Sequence, residues 1–501
     1  MPERATAERL EREVSRGRSS WSTREGEKAR RRTEREGQSS DMELGKAMHQ
    51  KPGALRGAKG RKEEGRGEAV SEAERDEAEL ALHGQTDWGA GDLLCQALAR
   101  ENMERAWKRV KSNKGGAGVD GRTVQATGEY LKQAWPEIRA RLLDGSYRPE
   151  PVRRVGIAKP GGGTRELGIP TVVDRLIQQA VLQVLQPIID PTFSEHSHGF
   201  RPGRSAQGAV AQAQRYVQEG RHVVVDVDLE KFFDRVNHDI LMDRLAKRMS
   251  DKRVLGLIRR YLQAGVMAEG VHSQRREGTP QGGPLSPLLA NVLLDEVDRE
   301  LERRGHRFVR YADDCNVYVK SRKAGERVLE GLRQCYERLA LKVNEAKTAV
   351  AEVWGRKFLG YCLKAARRGA PKLAVADQAL RQVRLRLRRI TRRSRGQSLA
   401  QVVEDLRAYV PGWRAYFRLA QTRQVMRDLD TWLRRRLRVL QLKQWRRGTT
   451  MYRELRRLGA SADEAGQIAG NAKRWWHNSR RVVQRILNTA YYDNLGVPKF
   501  S

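Results

Sequence analysis

Two short stretches, "RHVVVDVDLEKFFD" (residues 221–234) and "RFVRYADDCNVYVK" (residues 307–320), restrict the folds open to this chain more than any other feature. Each embeds carboxylates in a run rich in Val, Tyr and Phe, residues that suit a pleated, half-buried strand. If Val223 to Val227 form a buried strand, Asp226 and Asp228 lie at even positions and share a face, because side chains alternate along a strand. In the second stretch Asp313 and Asp314 read as the turn between two short strands. Hairpin tips prefer Asn-Gly or Asp-Gly, whose residues tolerate positive φ. Asp-Asp is a poorer turn, and its like charges repel. A sheet that brings a strand-end carboxylate to an acidic hairpin tip can assemble a site for a hard cation. Mg²⁺ takes one or two carboxylates and keeps water or phosphate oxygens as its other ligands. Two such ions clamp the attacking and leaving oxygens of an in-line phosphoryl transfer. Taken singly, "DD" is a solvated turn and "DVD" a strand end; in combination they point to a metal site.

The charge balance bears on what such a site would act upon. The 501 residues carry a formal charge of +36, with 98 Lys and Arg against 62 Asp and Glu, which favours a polyanionic partner. The excess is uneven: residues 1–90 hold 19 basic and 19 acidic groups, whereas residues 356–501 hold 35 and 9. The nucleic-acid footprint is therefore expected in the C-terminal third. Structured RNA fits better than sequence-read DNA, because no helix-turn-helix or zinc-finger pattern occurs. No run is apolar and long enough to span a bilayer, and the N-terminus lacks an apolar signal-peptide core, so a cytoplasmic protein without a membrane partner is expected. Cys95, Cys315, Cys335 and Cys362 show no CxxC spacing, which argues for a reduced protein without structural zinc.

Residues 1–90 have few large apolar side chains and no sustained period, and are expected to form a disordered, charged N-terminal extension. From about Asp92 apolar positions recur at helical spacing. "PVRRVGIAKPGGGTRELGIP" reads as a basic hairpin turning on Gly161 to Gly163, and "VVDRLIQQAVLQVLQPII" as a buried helix. "RHVVVDVDLEKFFD" reads as a strand leading into a helix. "GTPQGGPLSPLLANVLLDEVD" reads as a turn and then a helix, with Ser286 as N-cap and Pro287 at the first helical position. Beyond residue 375 the pattern is nearly all helical. "WLRRRLRVLQLKQW" places Trp432, Leu433, Leu437, Leu440 and Trp445 on one side and Arg434, Arg435 and Arg438 largely on the other, an amphipathic helix with a basic face. Trp413, Tyr416 and Phe417 in "GWRAYFRL" are candidates to stack on bases, although helical spacing favours core packing. His477 in "WWHNSRR" reads as a helix-surface residue.

"YADD" (Tyr311 to Asp314) resembles the Y-x-D-D signature of reverse transcriptases, and "DLEKFF" (Asp228 to Phe233) resembles their first catalytic motif, an aspartate followed five residues later by an aromatic. "NKGGAGVDG", "KPGGGTRELGIPTVVDRLIQQA", "GFRPGRSA", "EGTPQGGPLSPLLANVLLD", "LKVNEAKT" and "FLGYCL" stand in the order found in bacterial group II intron-encoded reverse transcriptase/maturases, class C-like, from about residue 92 to the C-terminus. The resemblance implies an α+β right-hand polymerase. Fingers and palm, with an antiparallel palm sheet, would occupy 91–365, an all-helical thumb or maturase (X) domain 366–445, and a basic helical C-terminal DNA-binding region 446–501. It implies an RNA-directed DNA polymerase and maturase using two Mg²⁺ ions. The implied partners are its group II intron RNA, a DNA target and primer, and dNTPs. Such a protein assists splicing and copies the intron into DNA during retrohoming.

Carried onto this chain, the resemblance makes Asp228, Asp313 and Asp314 the catalytic metal ligands, with Asp226 a supporting charge. Lys159 and Arg165 would grip the triphosphate, and Phe233 would pack under the sugar and reject a 2′-hydroxyl. Gln281 and Arg201 would meet nucleotide or template, and Lys347 would donate a proton to the leaving pyrophosphate. The tail after residue 363 has no cysteine and one histidine, so the zinc-bearing HNH nuclease of many intron-encoded proteins is not expected. The primer would then come from another source, such as a nascent strand at a replication fork. Two alternatives stand beside this reading. One is an RNA-binding splicing cofactor with an inert polymerase site, against which the intact Asp228, Asp313 and Asp314 speak. The other is a non-intron, retron-type reverse transcriptase, against which the long helical tail speaks.

Overall fold

A computed structural model describes residues 92–158, 164–268, 271–273, 277–366, 369–480 and 482–501. The expected extension over 1–90 and the candidate Lys159 lie outside the described residues. The chain forms two compact units. Of the described residues, the first takes in those from 92 to 177 with those within 263–275 and 280–283; the second takes in those within 178–262, 276–279 and 284–501. In chain order the strands are β1 (Val152–Ala158), β2 (Thr164–Ile169), β3 (Val223–Val227), β4 (Val266–Ala268), β5 (Val271–Ser273), β6 (Arg307–Tyr311), β7 (Asp314–Val319), β8 (Ala349–Glu352), β9 (Lys357–Phe358), β10 (Tyr361–Lys364) and β11 (Lys372–Val375).

In the first unit, helices Leu93–Ala97, Arg100–Ser112 and Val124–Leu143 precede the sheet β2-β1-β4-β5. Asp92 caps the first helix by accepting from Cys95 N at 2.9 Å, and Thr123 caps the third by accepting from Ala126 N at 3.2 Å. Short side-chain oxygens satisfy amides that have no partner within the helix. β1 and β2 pair antiparallel, as a hairpin requires, in register from Arg153 opposite Ile169 to Ala158 opposite Thr164, and the expected turn at Gly161 to Gly163 lies outside the described residues.

The second unit is built on the antiparallel sheet β6-β7-β3-β8. β3 is central, and Val224, Val225 and Val227 are buried. Helices Ala206–Gln218 and Ser286–Arg303 pack on β6, and helix Arg322–Arg338 packs on β3 and β7. The sheet β9-β10-β11 follows, and then helices Asp377–Ile390, Leu399–Tyr416, Arg423–Trp445 and a series of shorter ones ending at Thr489–Asn494. One apolar core runs from Val224 through Tyr361 and Leu406 to Leu437, Leu487 and Phe500. Residues after 446 therefore complete this core. Trp413 and Phe417 belong to it: both are buried, with ring centroids 4.5 Å apart, against Tyr361 and Phe500. His477 is exposed, and Cys315, Cys335 and Cys362 are buried and in no disulfide. Among the described residues no helix is long and apolar enough to cross a membrane.

Three local expectations are corrected. Helix Ser286–Arg303 has Leu285 at its cap, and Ser286 is its first residue, its hydroxyl accepting from Thr279 Oγ1 at 3.0 Å. After β3 the chain enters a 3-10 turn, Phe232–Asp234, behind Lys231 at φ +48°, and the helix starts only at His238. The largest correction concerns "WLRRRLRVLQLKQW". Its helix exists, but Arg434 and Arg438 are buried. Arg434 pairs with Asp493 at 3.2 Å and Asp430 at 3.7 Å, and Arg438 donates to the carbonyls of Ser479 at 2.8 Å and Leu487 at 3.4 Å. The short C-terminal helices cover this side and supply acceptors to Arg438 and to a terminal nitrogen of Arg434, while Arg434 Nε is buried without one. An exposed cationic face occurs instead on helix Asp377–Ile390, at Arg381, Arg384, Arg386, Arg388 and Arg389.

Candidate active site

The register of the second unit's sheet brings the carboxylates together. Val227 of β3 pairs with Cys315 of β7, so the next residues, Asp228 and Asp314, emerge at the same end. Tyr311 pairs with Asp314, so the tip of the β6–β7 hairpin is Ala312-Asp313 and not the two aspartates. Ala312 adopts φ +58°, at the position where primed hairpin turns need a positive value. A non-glycine residue there costs about 1–2 kcal/mol.

A buried network holds this turn. Arg310 has no exposed surface, and all its guanidinium N–H groups are engaged. Nε and Nη2 donate to Asp298 at 2.8 and 2.6 Å, Nη2 also to Ser197 Oγ at 2.8 Å, and Nη1 to Asn291 Oδ1 at 2.8 Å and Ala312 O at 2.9 Å. Burial works against the charge on Arg310, and Asp298 more than restores it; burial pushes the Asp298 carboxyl up despite Arg310. The strip His196–Gly199 runs beside β6, with His198 N donating to Arg310 O and Arg310 N to His196 O. At its end a Cβ on Gly199 would lie 2.1 Å from Ala312 N, so only glycine fits against the turn.

Asp228 is wrapped by the segment after helix Arg322–Arg338. Its carboxylate accepts from Asn344 Nδ2 at 3.2 Å and Lys347 Nζ at 3.3 Å, and its amide donates to Thr348 Oγ1 at 3.2 Å. Asp226 is held by Arg356 at 2.8 Å, which offsets its charge. Burial, and then the negative charges of Asp313, Asp228 and Asp226, push the Asp314 carboxyl up to about 6, with Lys357 opposing them. Asp314 is open to solvent, which weakens the burial contribution and leaves the neighbouring carboxylates as the persistent cause. Among the described residues no three His, Cys, Asp or Glu side chains converge closely enough to hold an ion alone. An ion here would need further ligands from water or phosphate.

The other expected site residues fall into different environments. Phe233 is nearly buried, edge-on to Phe232 at 5.1 Å, and its carbonyl accepts from Thr279 N at 2.7 Å. Gln281 belongs to the first unit, where its carbonyl accepts from Gly168 N at 3.1 Å. Arg165 lies on β2 opposite Ile157. Arg201 is corrected. It is buried, and its N–H groups are spent on Asp190 Oδ1, Oδ2 and O and on the carbonyls of Ser194 and Ser197, at 2.6–3.2 Å. It clamps the loop between helices Val172–Ile189 and Ala206–Gln218 and keeps no donor for nucleotide or template.

The residues missed from the sequence are Arg310, Asn291, Asp298 and Ser197. A signal was present. Asn291, Asp295 and Asp298 recur at i, i+4 and i+7 in the largely apolar "LLANVLLDEVD", all buried, and Arg310 interrupts the apolar run "FVRY". Polar residues on the buried stripe of a helix need partners, and a lone arginine in a core strand is one.

A reverse transcriptase (RNA-dependent DNA polymerase) domain is matched over residues 157–363, and a group II intron maturase-specific domain over 380–459. The chain is 34% identical over 326 residues to Protein YkfC of Escherichia coli (strain K12), an alignment covering 55% of this chain and 85% of that protein. It is 30% identical over 334 residues to Group II intron-encoded protein LtrA of Lactococcus lactis subsp. cremoris, covering 53% of this chain and 55% of LtrA. It is 30% identical over 243 residues to the Putative COX1/OXI3 intron 1 protein of Saccharomyces cerevisiae (strain ATCC 204508 / S288c), covering 48% of this chain and 27% of that protein.

Proposed function

The chain belongs to the reverse transcriptases that carry a group II intron maturase-specific domain, and on that footing we propose that it binds its own intron RNA, assists splicing, and copies the intron into DNA at a target site during retrohoming. The observation that carries the catalytic part is the end of the sheet, where Asp314 meets the charges of Asp313, Asp228 and Asp226. A carboxylate raised by burial and by neighbouring negative charges in this way fits a hard divalent cation. Asp228, Asp313 and Asp314 would hold two Mg²⁺ ions, which when bound supply charge neutralisation for attacking and leaving oxygens.

The chain's own groups do the rest. The primer 3′-hydroxyl gives its proton to solvent as its oxygen bonds to the α-phosphorus and the bond to pyrophosphate breaks. Lys347, an exposed ammonium that pairs with Asp228, gives the leaving pyrophosphate its proton. Phe233 supports the sugar and excludes a 2′-hydroxyl, Lys159 and Arg165 of the hairpin grip the triphosphate, and Gln281 approaches the templated nucleotide. Fingers and palm are assigned to 91–365, thumb to 366–445 and DNA-binding region to 446–501. The exposed arginines of helix Asp377–Ile390 supply phosphate contacts to RNA.

The test is primer extension on an RNA template with Mg²⁺ and dNTPs. Wild-type protein extends the primer, and Asp313→Asn, with its circular dichroism unaltered, does not. Extension by that variant overturns the site. Splicing is measured on the same pair of proteins with the intron RNA encoded around the reading frame. Wild-type protein that neither binds nor splices that RNA overturns the maturase part.

A further inference from the structure

Phe200 combines two features that neither packing nor backbone preference explains. It is 44% exposed, so it adds little to the core, and it adopts φ +61°, a left-handed conformation that bulky residues avoid. A tight turn that needs positive φ normally places glycine there. Here the glycine stands one position earlier. Gly199 is used for the close approach to Ala312, and the strained position falls to an aromatic. Strain of this kind persists only where the surroundings impose it, and it clusters at functional sites.

Those surroundings are on both sides of Phe200. On one side Gly199 abuts the turn, and its carbonyl accepts from Asn291 Nδ2 at 2.9 Å. On the other, Arg201 is pinned by its full set of hydrogen bonds. The strip pairs in parallel with β6, Ser197 beside Arg310, and Gly199 meets Ala312 two residues on. Phe200 is the residue that follows this contact, as Asp313 is the residue that follows Ala312. Two anchored neighbours thus hold an exposed aromatic residue next to the glycine that abuts the Ala312-Asp313 turn.

We infer that Phe200 is a stacking contact for a nucleobase of the template–primer duplex, at its primer 3′ end. The inference rests on the polymerase reading above. Every base has a π-face, so an aromatic ring serves any sequence, as a copying enzyme requires. Alanine substitution at such contacts weakens binding roughly 5- to 100-fold.

The experiment uses the full chain and an RNA template annealed to a DNA primer, with 2-aminopurine at the primer 3′ end. Dissociation constants, KM for template–primer, kcat and 2-aminopurine fluorescence are compared for wild type, Phe200→Ala, Phe200→Gly and Phe200→Trp. The expected result is a rise of roughly 5- to 100-fold in Kd and KM for Phe200→Ala, larger than the change in kcat. Its bound 2-aminopurine is brighter than in wild type, and Phe200→Trp restores both binding and quenching. Phe200→Gly relieves the strained φ, so it is expected to be at least as heat-stable as wild type yet as weak a binder as Phe200→Ala. Wild-type affinity and quenching in Phe200→Ala overturn the inference. So does a lower melting temperature in Phe200→Gly, which would make the ring a packing element. If wild-type protein does not extend primers at all, the polymerase reading fails, a result distinct from either of these.

Discussion

Replacing Arg310 by methionine tests whether the buried network supports the Ala312-Asp313 turn. The Arg310 and Asp298 side chains are 1% and 0% exposed. Removing the cation alone strands a buried carboxylate, which costs about 3–5 kcal/mol. Asn291, Ser197 and Ala312 O also lose a partner, at roughly 1 kcal/mol each, though these losses overlap. Against a total stability of about 5–15 kcal/mol, R310M is severe. Replacing both partners, R310M with D298L, removes the stranded charge and is expected to recover most of the loss, because apolar replacements of buried pairs are often neutral. The deficit should depend on pH. Burial already holds the Asp298 carboxyl above its ordinary value, and loss of Arg310 raises it further. The folded variant then binds a proton that the unfolded chain releases, so its stability falls as pH rises. The gap to wild type is expected to be smaller at pH 5.5 than at pH 8. Urea denaturation followed by hydrogen exchange at β6 and β7 amides provides a local readout in a chain of two compact units. A cost below about 1 kcal/mol for R310M, or a double variant no better than the single, would refute the reasoning.

Gly199→Ala forces a Cβ against the backbone of Ala312 and Tyr311, which no rotamer can relieve; primer extension is expected to fall at least tenfold, and wild-type extension would show that the turn is not held there. Mg²⁺ is expected to raise the melting temperature more at pH 8 than at pH 5.5. The raised Asp314 carboxyl is protonated below about 6, where protons compete with the ion, and is an uncompensated charge above it; an equal rise at both pH values would count against this. Arg438→Ala is expected to destabilise the C-terminal helices by about 3 kcal/mol while leaving the salt dependence of RNA binding as in wild type. Exposed Arg384→Ala should lower the salt slope by about 0.7–1 with little change in melting temperature, and the reverse pattern would contradict the burial of these helices.

The strands and helices were legible where the pattern has a period. β3, β6 and β7 follow runs of Val, Tyr and Phe, and helix Val172–Ile189 follows an apolar one. The motif spacing also picked out Asp228, Asp313 and Asp314, which the β3–β7 register gathers at one end of the sheet. Arg201 was misread because an arginine in a Gly- and Pro-rich loop looks identical whether its donors face solvent or the carbonyls of Ser194 and Ser197. Arg434 and Arg438 were misread because a helical wheel records polarity but not a second layer of helices. Burial depends on segments far away in the chain, so no local window contains it.

By itself the sequence determined the chemistry available: three carboxylates in strand-like runs, an excess of cations, and ordered motifs. Their types and spacing are local properties, and elementary electrostatics reads them directly. Only the tertiary structure decided which of Ala312, Asp313 and Asp314 takes the strained turn position, that Arg310 and Gly199 hold it, and that Arg438 serves the core while Arg384 faces solvent. The physical reason is that hydrogen-bond satisfaction and burial are set by pairs such as Ser197 with Arg310 and Asp228 with Lys347, residues more than a hundred positions apart that meet only when the sheet closes.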